Sequence, residues 1–414
     1  MAGPQFSIVI PTRSRAVYLA STLATVAEAV RRLGTPAQVV VADNASDDET
    51  EEVVRCSPLD ISYSRAAKRL SMRMNFERAL DLAKGDYVLF LGDDDGLAPD
   101  GLRQLSEILA ARPVDIVNWR LTNYTWPGEG DATQAHLTLK YRSVFGPVRW
   151  ISPKTILAKF LAGTARNHRA GGNIYHGLVS RRLIDRARIG NDGVYFGGIS
   201  PDVYASITNL ALTDDPLAFV RHPISLGGTS PRSNGEAGRR AQSTGPSGEY
   251  QRFIDEVESD PIRGKIGAEI PSAELHLLDA VDSVCRDHGL DPDRIDKARW
   301  GARVTRELGR MGRDQVERSA DAALALLGSR PVVQPRSDEA GGGAPSRRSP
   351  SRISATQISL SGNGAPQTIA EATGVVGHLL SGGYAPLSTG GLRRPLHWMR
   401  ALRAAQRHLA ARRS

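Results

Sequence analysis

Three successive carboxylates, Asp93, Asp94 and Asp95, stand between Gly92 and Gly96 at the end of an unbroken apolar run, Val88 to Leu91. A run of that length without polar alternation reads as a strand buried on both faces of an α/β sheet. The strand delivers concentrated negative charge onto a turn whose glycines permit close approach of a ligand. Adjacent carboxylates repel unless a cation joins them, and a hard divalent ion that shares oxygen ligands with substrate phosphates suits such a cluster. Helix capping alone would need one carboxylate rather than three.

Two earlier apolar runs end in the same way. Phe6 to Ile10 stops at Pro11 and Thr12 and is followed by a basic loop, Arg13 to Arg15, while Val39 to Ala42 runs into Asp43-Asn44-Ala45-Ser46-Asp47-Asp48. Helical patterns separate them: Val17 to Leu33, with Leu19, Leu23, Val26 and Val30 at helix spacing, a second from near Glu49, and Met72 to Leu82. Ile61 to Tyr63 reads as a short third strand. Alternating strands and helices imply a mostly parallel sheet, in which ligands bind beyond the carboxyl ends of the strands. Thr12, Asp43 and Asp93 to Asp95 are therefore expected to converge.

Farther along, Pro99 to Ala111 reads as helix, Val114 to Trp119 as strand, Pro153 to Leu161 as helix, Ile174 to Val179 as strand and Ala218 to Val220 as a late strand. Between them, Leu121 to Arg149 is rich in turns and aromatics; Tyr124, Trp126, Tyr141, Phe145 and Trp150 suit core packing better than stacking on sugar rings. Gly197 to Asp202 is a glycine-containing loop that opens a helix to Leu212, with Pro201 and Asp202 fitting its first turn.

The expected organisation is a first domain over 1–226, a Gly/Ser-rich loop over 227–249 that is either a lid or a connector, a small α-helical region over 250–329, a disordered linker over 330–360, and a basic tail over 361–414. In the tail, Leu396, Met399, Leu402 and Leu409 share a helical stripe, with Arg393, Arg394, Arg400, Arg403, Arg407, Arg412 and Arg413 around them. Such a basic amphipathic helix can lie on an anionic membrane surface or bind a partner.

At 414 residues and 40% hydrophobic content the chain buries a substantial core. Lys and Arg exceed Asp and Glu by 53 to 45, a formal charge of +8, and much of the excess falls after Arg330. A basic tail argues against a nucleic-acid-binding face on the folded region. Cys56 and Cys285 are far apart and in no metal-binding spacing, which excludes a disulfide framework and suits a reducing cytoplasm. No window approaches the roughly 18 uncharged apolar residues of a membrane span, and the first residues lack the order of a signal peptide. The expected location is cytoplasmic, with any membrane contact made from the inner surface.

Ser7-Ile8-Val9-Ile10-Pro11-Thr12, Val41-Ala42-Asp43-Asn44-Ala45-Ser46-Asp47-Asp48 and Gly85-Asp86-Tyr87-Val88-Leu89-Phe90-Leu91-Gly92-Asp93-Asp94-Asp95 together resemble family 2 glycosyltransferases of the GT-A fold, over about the first 220 residues. The resemblance implies an α/β, mostly parallel GT-A sheet flanked by helices and a DXD-type motif that binds Mg2+ or Mn2+ and the diphosphate of a nucleotide-sugar donor. It assigns Asp95 as the direct metal ligand, with Asp93 nearer the ribose and also in the metal set, and Asp94 in the same donor site. Pro11, Thr12 and Arg13 would line the nucleotide pocket and Asp43 would meet the base. Arg73, with Arg69, would add to the diphosphate clamp. The resemblance also implies an inverting reaction that needs a base beside the acceptor, a glycan or lipid-linked molecule of cell-surface polysaccharide assembly. Asp202 is matched to that base, although Pro201 stands where many members carry Glu; Asp192, Asp214 and Asp215 are weaker candidates. His222 resembles a late metal histidine only in position and reads as structural. The rivals are a GT-A-like nucleotidyltransferase, disfavoured because Pro11 to Arg15 has no glycine, a dinucleotide-binding dehydrogenase, which lacks Gly-X-Gly-X-X-Gly after the first strand, and a non-catalytic nucleotide- or glycan-binding protein.

Overall fold

The computed structural model describes residues 3–128, 134–165, 171–232, 249–261, 264–333, 351–381, 387 and 394–411, and all structural statements concern these residues. The chain begins with β1 (Phe6–Thr12), α1 (Ala16–Leu33), β2 (Gln38–Asp43), α2 (Thr50–Arg55), β3 (Ile61–Arg65), α3 (Met72–Leu82) and β4 (Tyr87–Phe90). There follow β5 (Gly96–Leu97), α4 (Gly101–Ala111), β6 (Ile116–Trp119), β7 (Thr122–Thr125), β8 (His136–Lys140), β9 (Arg149–Ile151), α5 (Pro153–Leu161), β10 (Gly177–Ser180), α6 (Arg181–Ile189), α7 (Pro201–Leu212), β11 (Leu217–Val220) and β12 (Ser225–Thr229). The last part contains α8 (Glu249–Glu258), α9 (Ala273–Asp287), α10 (Lys297–Leu308), α11 (Arg313–Leu327), β13 (Arg352–Ser354), β14 (Gln357–Ser361), α12 (Ile369–Leu380) and α13 (Arg394–Ala411).

The main sheet has the order β3-β2-β1-β4-β10-β6-β11-β9. β3, β2, β1 and β4 are parallel, as the alternating pattern requires. β10 runs antiparallel to both β4 and β6, and β11 is parallel to β6, so β1, β2, β4, β6 and β11 all end on one edge. Alternate residues of these strands face opposite sides. Val9, Val40, Val88 and Phe90 enter one core with Phe76 and Leu80 of α3, while Ile8, Ile10, Val41 and Leu89 enter the other with Leu19 and Leu23 of α1 and Leu105 of α4. Each fully buried side chain of this size contributes about 1.5–3 kcal/mol.

The expected α/β architecture with flanking helices is present, and three boundaries differ from the expectation. The helices over 250–329 are not a separate unit: Leu278 of α9 and Trp300 of α10 share one core with Phe160 and Ile207, and the Trp300 indole donates to the Phe160 carbonyl at 3.1 Å. The loop expected from residue 227 is still strand β12 through Thr229, whereas residues 233–248 lie outside the described residues. The end of the expected linker is also strand. β13 and β14 join β8, β7, β12 and β5 in a second sheet, while residues 334–350 lie outside the described residues.

The tail is likewise built into the fold. Ile369 and Val376 of α12 and Trp398, Ala401 and Ala405 of α13 bury against Tyr124, Leu137 and Leu360. The buried stripe of α13 runs through Trp398 and three alanines; Leu402 and Leu409 are partly buried beside it, and Leu396 and Met399 face outward, 57% and 47% exposed. Alanine is too small to announce such a stripe by hydropathy, which is why the larger leucines suggested another. Arg393, Arg412 and Arg413 fall outside the described residues.

Candidate active site

β1 and β4 are adjacent and parallel, so their ends bring Thr12 and Asp93 together. Thr12 Oγ1 donates to Asp93 Oδ2 at 2.8 Å, and Arg15 Nη1 donates to Asp93 Oδ1 at 3.0 Å. Thr22 of α1 places its hydroxyl 2.8 Å from the Asp93 carbonyl and 2.7 Å from that of Asp95, which ties the turn to the helix. Burial works against the charge of Arg15, but Asp93 and Asp94 outweigh it and hold the guanidinium fully protonated. Arg15 also donates to the Arg232 carbonyl.

The other side of the turn is held by β10 and β12. Asp95 Oδ2 accepts from the Gly92 backbone N–H at 2.7 Å, the Tyr175 hydroxyl at 2.8 Å and His176 Nε2 at 3.0 Å, and Oδ1 accepts from the Gly228 N–H at 2.7 Å. Burial alone would raise the Asp95 carboxyl; His176, Gly228 and Tyr175 more than offset this and hold it below the usual range. The Tyr175 hydroxyl, buried beside these carboxylates, is raised well above its ordinary value and stays a donor. Asp94 differs from both neighbours. Its Oδ2 accepts from Ser230 Oγ at 2.6 Å, and burial followed by the charges of Asp95 and Asp93 pushes its carboxyl up to about 7. Its carbonyl accepts from the Trp126 indole at 2.8 Å.

Two glycines are explained by this crowding. A Cβ on Gly228 would lie 1.8 Å from the Asp94 carbonyl oxygen, and one on Gly92 would lie 2.3 Å from the Tyr175 hydroxyl. β12 therefore approaches the triplet as closely as it does only because position 228 has no side chain.

Asp43 is fully buried at the end of β2; Oδ1 accepts from the Ser46 N–H at 2.8 Å and Oδ2 from the Tyr63 hydroxyl at 2.7 Å. Pro11 is half-buried one residue before Thr12. The basic residues expected around a diphosphate are paired with carboxylates from α8 and the turn after it. Arg13 Nη1 lies 2.6 and 2.7 Å from the two Glu256 oxygens, and Arg69 lies 3.3 Å from the same group. Arg73 is 7% exposed and held by Asp260 at 2.8 Å, with Ser71 donating to the same carboxylate. Arg73 thus departs from its expected place in the clamp: it is committed to a buried ion pair, because the acidic segment after residue 249 folds back over α3.

Comparison with known proteins decides the family. The model described as Glycosyl transferase family 2 matches residues 7–175, which span Thr12, Asp43, the triplet and Tyr175. A PGL/p-HBAD biosynthesis glycosyltransferase of Mycobacterium bovis (strain BCG / Pasteur 1173P2) is 30% identical over 217 residues, 48% of this chain and 80% of that protein. The chain belongs to glycosyltransferase family 2. Abequosyltransferase RfbV of Salmonella typhimurium is 34% identical over 107 residues, 25% of this chain and 32% of that protein. Among solved structures, S. aureus TarS 1-349 in complex with UDP-GlcNAc aligns with a TM-score of 0.44 at 14% identity, covering 78% of this chain and 81% of that one.

In this family 2 glycosyltransferase, Asp202 occupies the first turn of α7, half-buried, after Pro201. The loop that leads to it leaves the core at Phe196, whose ring packs 5.2 Å from Phe90, three residues before Asp93. Asp214 and Asp215 are tied elsewhere, to Lys154 at 2.8 Å and Arg182 at 3.1 Å, and Asp192 sits in a turn at φ 46°. His222 packs in the interior: Nδ1 accepts from the Phe145 N–H at 3.1 Å, and burial depresses the imidazole to about 3. Tyr124 and Trp126 pack in the core between the second sheet and α12 and α13, a packing role as expected. Sequence reasoning missed Arg15, Tyr175, His176, Ser225, Gly228 and Ser230. Arg15 was visible as part of the basic loop; the others come from strands whose pairing no local pattern encodes.

Proposed function

We propose that this glycosyltransferase moves a sugar, with inversion, from a nucleotide-diphosphate-sugar to a glycan or lipid-linked acceptor in cell-surface polysaccharide assembly. The observation that carries the reading is a turn beyond β4 that buries three carboxylates side by side, with Thr12 and Arg15 bonded to Asp93; burial and the neighbouring charges push the Asp94 carboxyl up to about 7. Arg15 offsets this repulsion only in part. Oxygen donors from one or two carboxylates, completed by water and phosphate, fit Mn2+ or Mg2+.

The residues that would hold the ion are Asp94 and Asp93. Asp95, assigned as the direct ligand from the resemblance, already meets four protein donors, so its work is to hold the turn. Bound there, the ion would neutralise charge that builds on the departing diphosphate. Pro11, Thr12, Arg13 and Asp43 line the nucleotide side, where Arg13 and Arg69 exchange Glu256 for the donor's phosphates.

In the transfer itself, the acceptor hydroxyl oxygen forms a bond to the anomeric carbon. The bond from that carbon to the diphosphate breaks, its electron pair leaving on the nucleoside diphosphate. Asp202 takes the hydroxyl proton, as an ionised carboxylate beside the acceptor would. Incubation with a panel of nucleotide sugars, with and without Mn2+, tests the reading. Asp94→Asn is expected to abolish metal-dependent donor binding, whereas Asp202→Asn keeps binding and lowers transfer by about 100-fold or more. Donor binding lost in Asp202→Asn, or no turnover of any donor with metal present, contradicts it.

The exposed Leu396 and Met399, with exposed Arg400, Arg403 and Arg407 on α13, support peripheral contact with the inner face of a cell membrane. No helix among the described residues is long and apolar enough to cross a membrane. Co-sedimentation with phosphatidylglycerol vesicles, lost on Arg400→Glu with Arg403→Glu, is the expected result; equal sedimentation of the double variant removes the membrane role of this face.

A further inference from the structure

Behind Asp95 runs a chain of buried polar groups from β6, β12 and the residue just before β10. The Trp119 indole at the end of β6 donates to Ser225 Oγ at 2.8 Å; Ser225 Oγ lies 2.8 Å from His176 Nδ1; His176 Nε2 lies 3.0 Å from Asp95 Oδ2. The direction of the chain is set at its far end. An indole N–H only donates, so Ser225 Oγ accepts from Trp119 and its own proton has Nδ1 as the partner. With Nδ1 accepting, the imidazole presents an Nε2 proton to Asp95. All four residues are buried, Ser225 completely, so the serine is no nucleophile despite the Ser-His-Asp order.

A second observation marks His176. Its backbone sits at φ 51°, the left-handed region that a residue with a Cβ enters at a cost. The conformation persists because the His176 N–H donates to the Phe90 carbonyl at 3.0 Å and, two residues earlier, the Phe90 N–H donates to the Ile174 carbonyl at 3.0 Å. Strain held this firmly beside a reactive loop is an arrangement that positions a side chain.

We propose that His176 is a positioning residue: locked in its Nε2–H form by Ser225 and Trp119, it fixes the Asp95 carboxylate and through it the turn that aims Asp94 and Asp93 at the donor's diphosphate. The inference rests on the donor-site reading above. Asp95 accepts from Gly92 and Gly228 as well as from His176, so the same carboxylate joins the start of the triplet turn to β12. Release of the imidazole frees one end of that tie while leaving Tyr175 in place. The expected consequence is a turn that still forms but holds the ion and the diphosphate less well, the pattern of groups that orient ligands from behind.

The test uses the full chain and compares His176→Gln, which retains a donor toward Asp95, with His176→Phe, and adds Ser225→Ala as a smaller change in the same chain. Three quantities are measured: Mn2+ binding without donor, by titration calorimetry or the manganese spin signal; donor KM and kcat; and the thermal midpoint. His176→Phe is expected to weaken Mn2+ binding and raise donor KM by about 10-fold or more, with His176→Gln recovering most of both and Ser225→Ala falling between. If His176→Phe fails to fold, Ser225→Ala alone carries the test, with a several-fold rise in KM expected at an unchanged thermal midpoint. Variants whose thermal midpoints fall while Mn2+ binding and KM stay at wild-type values overturn the proposal, as does a glutamine no better than phenylalanine. A wild-type chain that binds no Mn2+ and turns over no donor overturns the donor-site reading itself, a different outcome from an active wild type with indifferent variants.

Discussion

The two sides of the Asp93–Asp95 turn are built by different means. On the side of β1 and α1, Thr12, Arg15 and Thr22 come from the first 22 residues and meet the turn through a simple parallel pairing of β1 with β4. On the side of β10 and β12, Tyr175, His176, Gly228 and Ser230 come from 80 to 136 residues away, through antiparallel strands and a second sheet. The first side brings a cation and a hydroxyl to Asp93. The second brings hydroxyl, imidazole and backbone donors to Asp94 and Asp95. Division of labour follows from this: charge compensation is on the near side, and shape is on the far side.

The sharpest way to break the comparison is to push the far side away. In Gly228→Ala the new Cβ would lie 1.8 Å from a backbone carbonyl and 2.9 Å from the Trp126 indole nitrogen, neither of which is the free end of a flexible chain. Strand β12 must retreat, which loosens the Gly228 to Asp95 and Ser230 to Asp94 hydrogen bonds together. A loss of about 3 kcal/mol in urea unfolding is expected, with donor binding impaired as well. A variant of wild-type stability and KM would mean that the far side does not set the shape of the turn.

The same contrast accounts for what was legible in the sequence. The near side lies on strands that each end in a polar signal within a few residues, so Thr12, Asp43 and the triplet announced themselves, and the fold class with them. β12 reads Ser-Leu-Gly-Gly-Thr, and its glycines look like loop because their purpose, close approach to another backbone, appears only once the partner strand is known. β10 begins immediately after a left-handed histidine, and nothing local marks that residue as the partner of a carboxylate 81 positions earlier. The tail misled for another reason. Its arginines, which begin at Arg393, set its charge; Trp398 and the alanines that fasten α13 are scattered among them, and Ile369 and Val376 of α12 lie before them. Ile369 and Thr373 come within 2.8 Å of where a Cβ on Gly96 would be, so the segment read as a tail packs directly behind the triplet.

Acid supplies a milder test, because the two sides respond to pH with opposite sign. His222, two residues before Ile224 and the start of β12, is buried with its imidazole depressed from the ordinary 6.5 to about 3. The folded protein therefore binds its proton less readily than the unfolded chain, and the stability this group provides is complete above 6.5 and is lost as pH falls. Between 6.5 and 5 the loss is about 2 kcal/mol, from 1.5 units at 1.36 kcal/mol each. Asp94 works the other way: with its carboxyl raised to about 7, the protonated form is favoured in the fold, and that contribution is present below the ordinary carboxylate value and lost as pH rises toward 7. Because the Asp94 gain over this range offsets the His222 loss, urea unfolding at pH 7 and pH 5 should show little net change in the wild type and a stability gain at pH 5 in His222→Asn, whose amide oxygen can accept from the Phe145 N–H in place of Nδ1. Tryptophan fluorescence should report the far side opening first in acid, since Trp119 and Trp126 both contact it through Ser225 and Asp94. An acid response identical in wild type and His222→Asn would place the acid-sensitive group on the near side of the turn and reverse the assignment of its two halves.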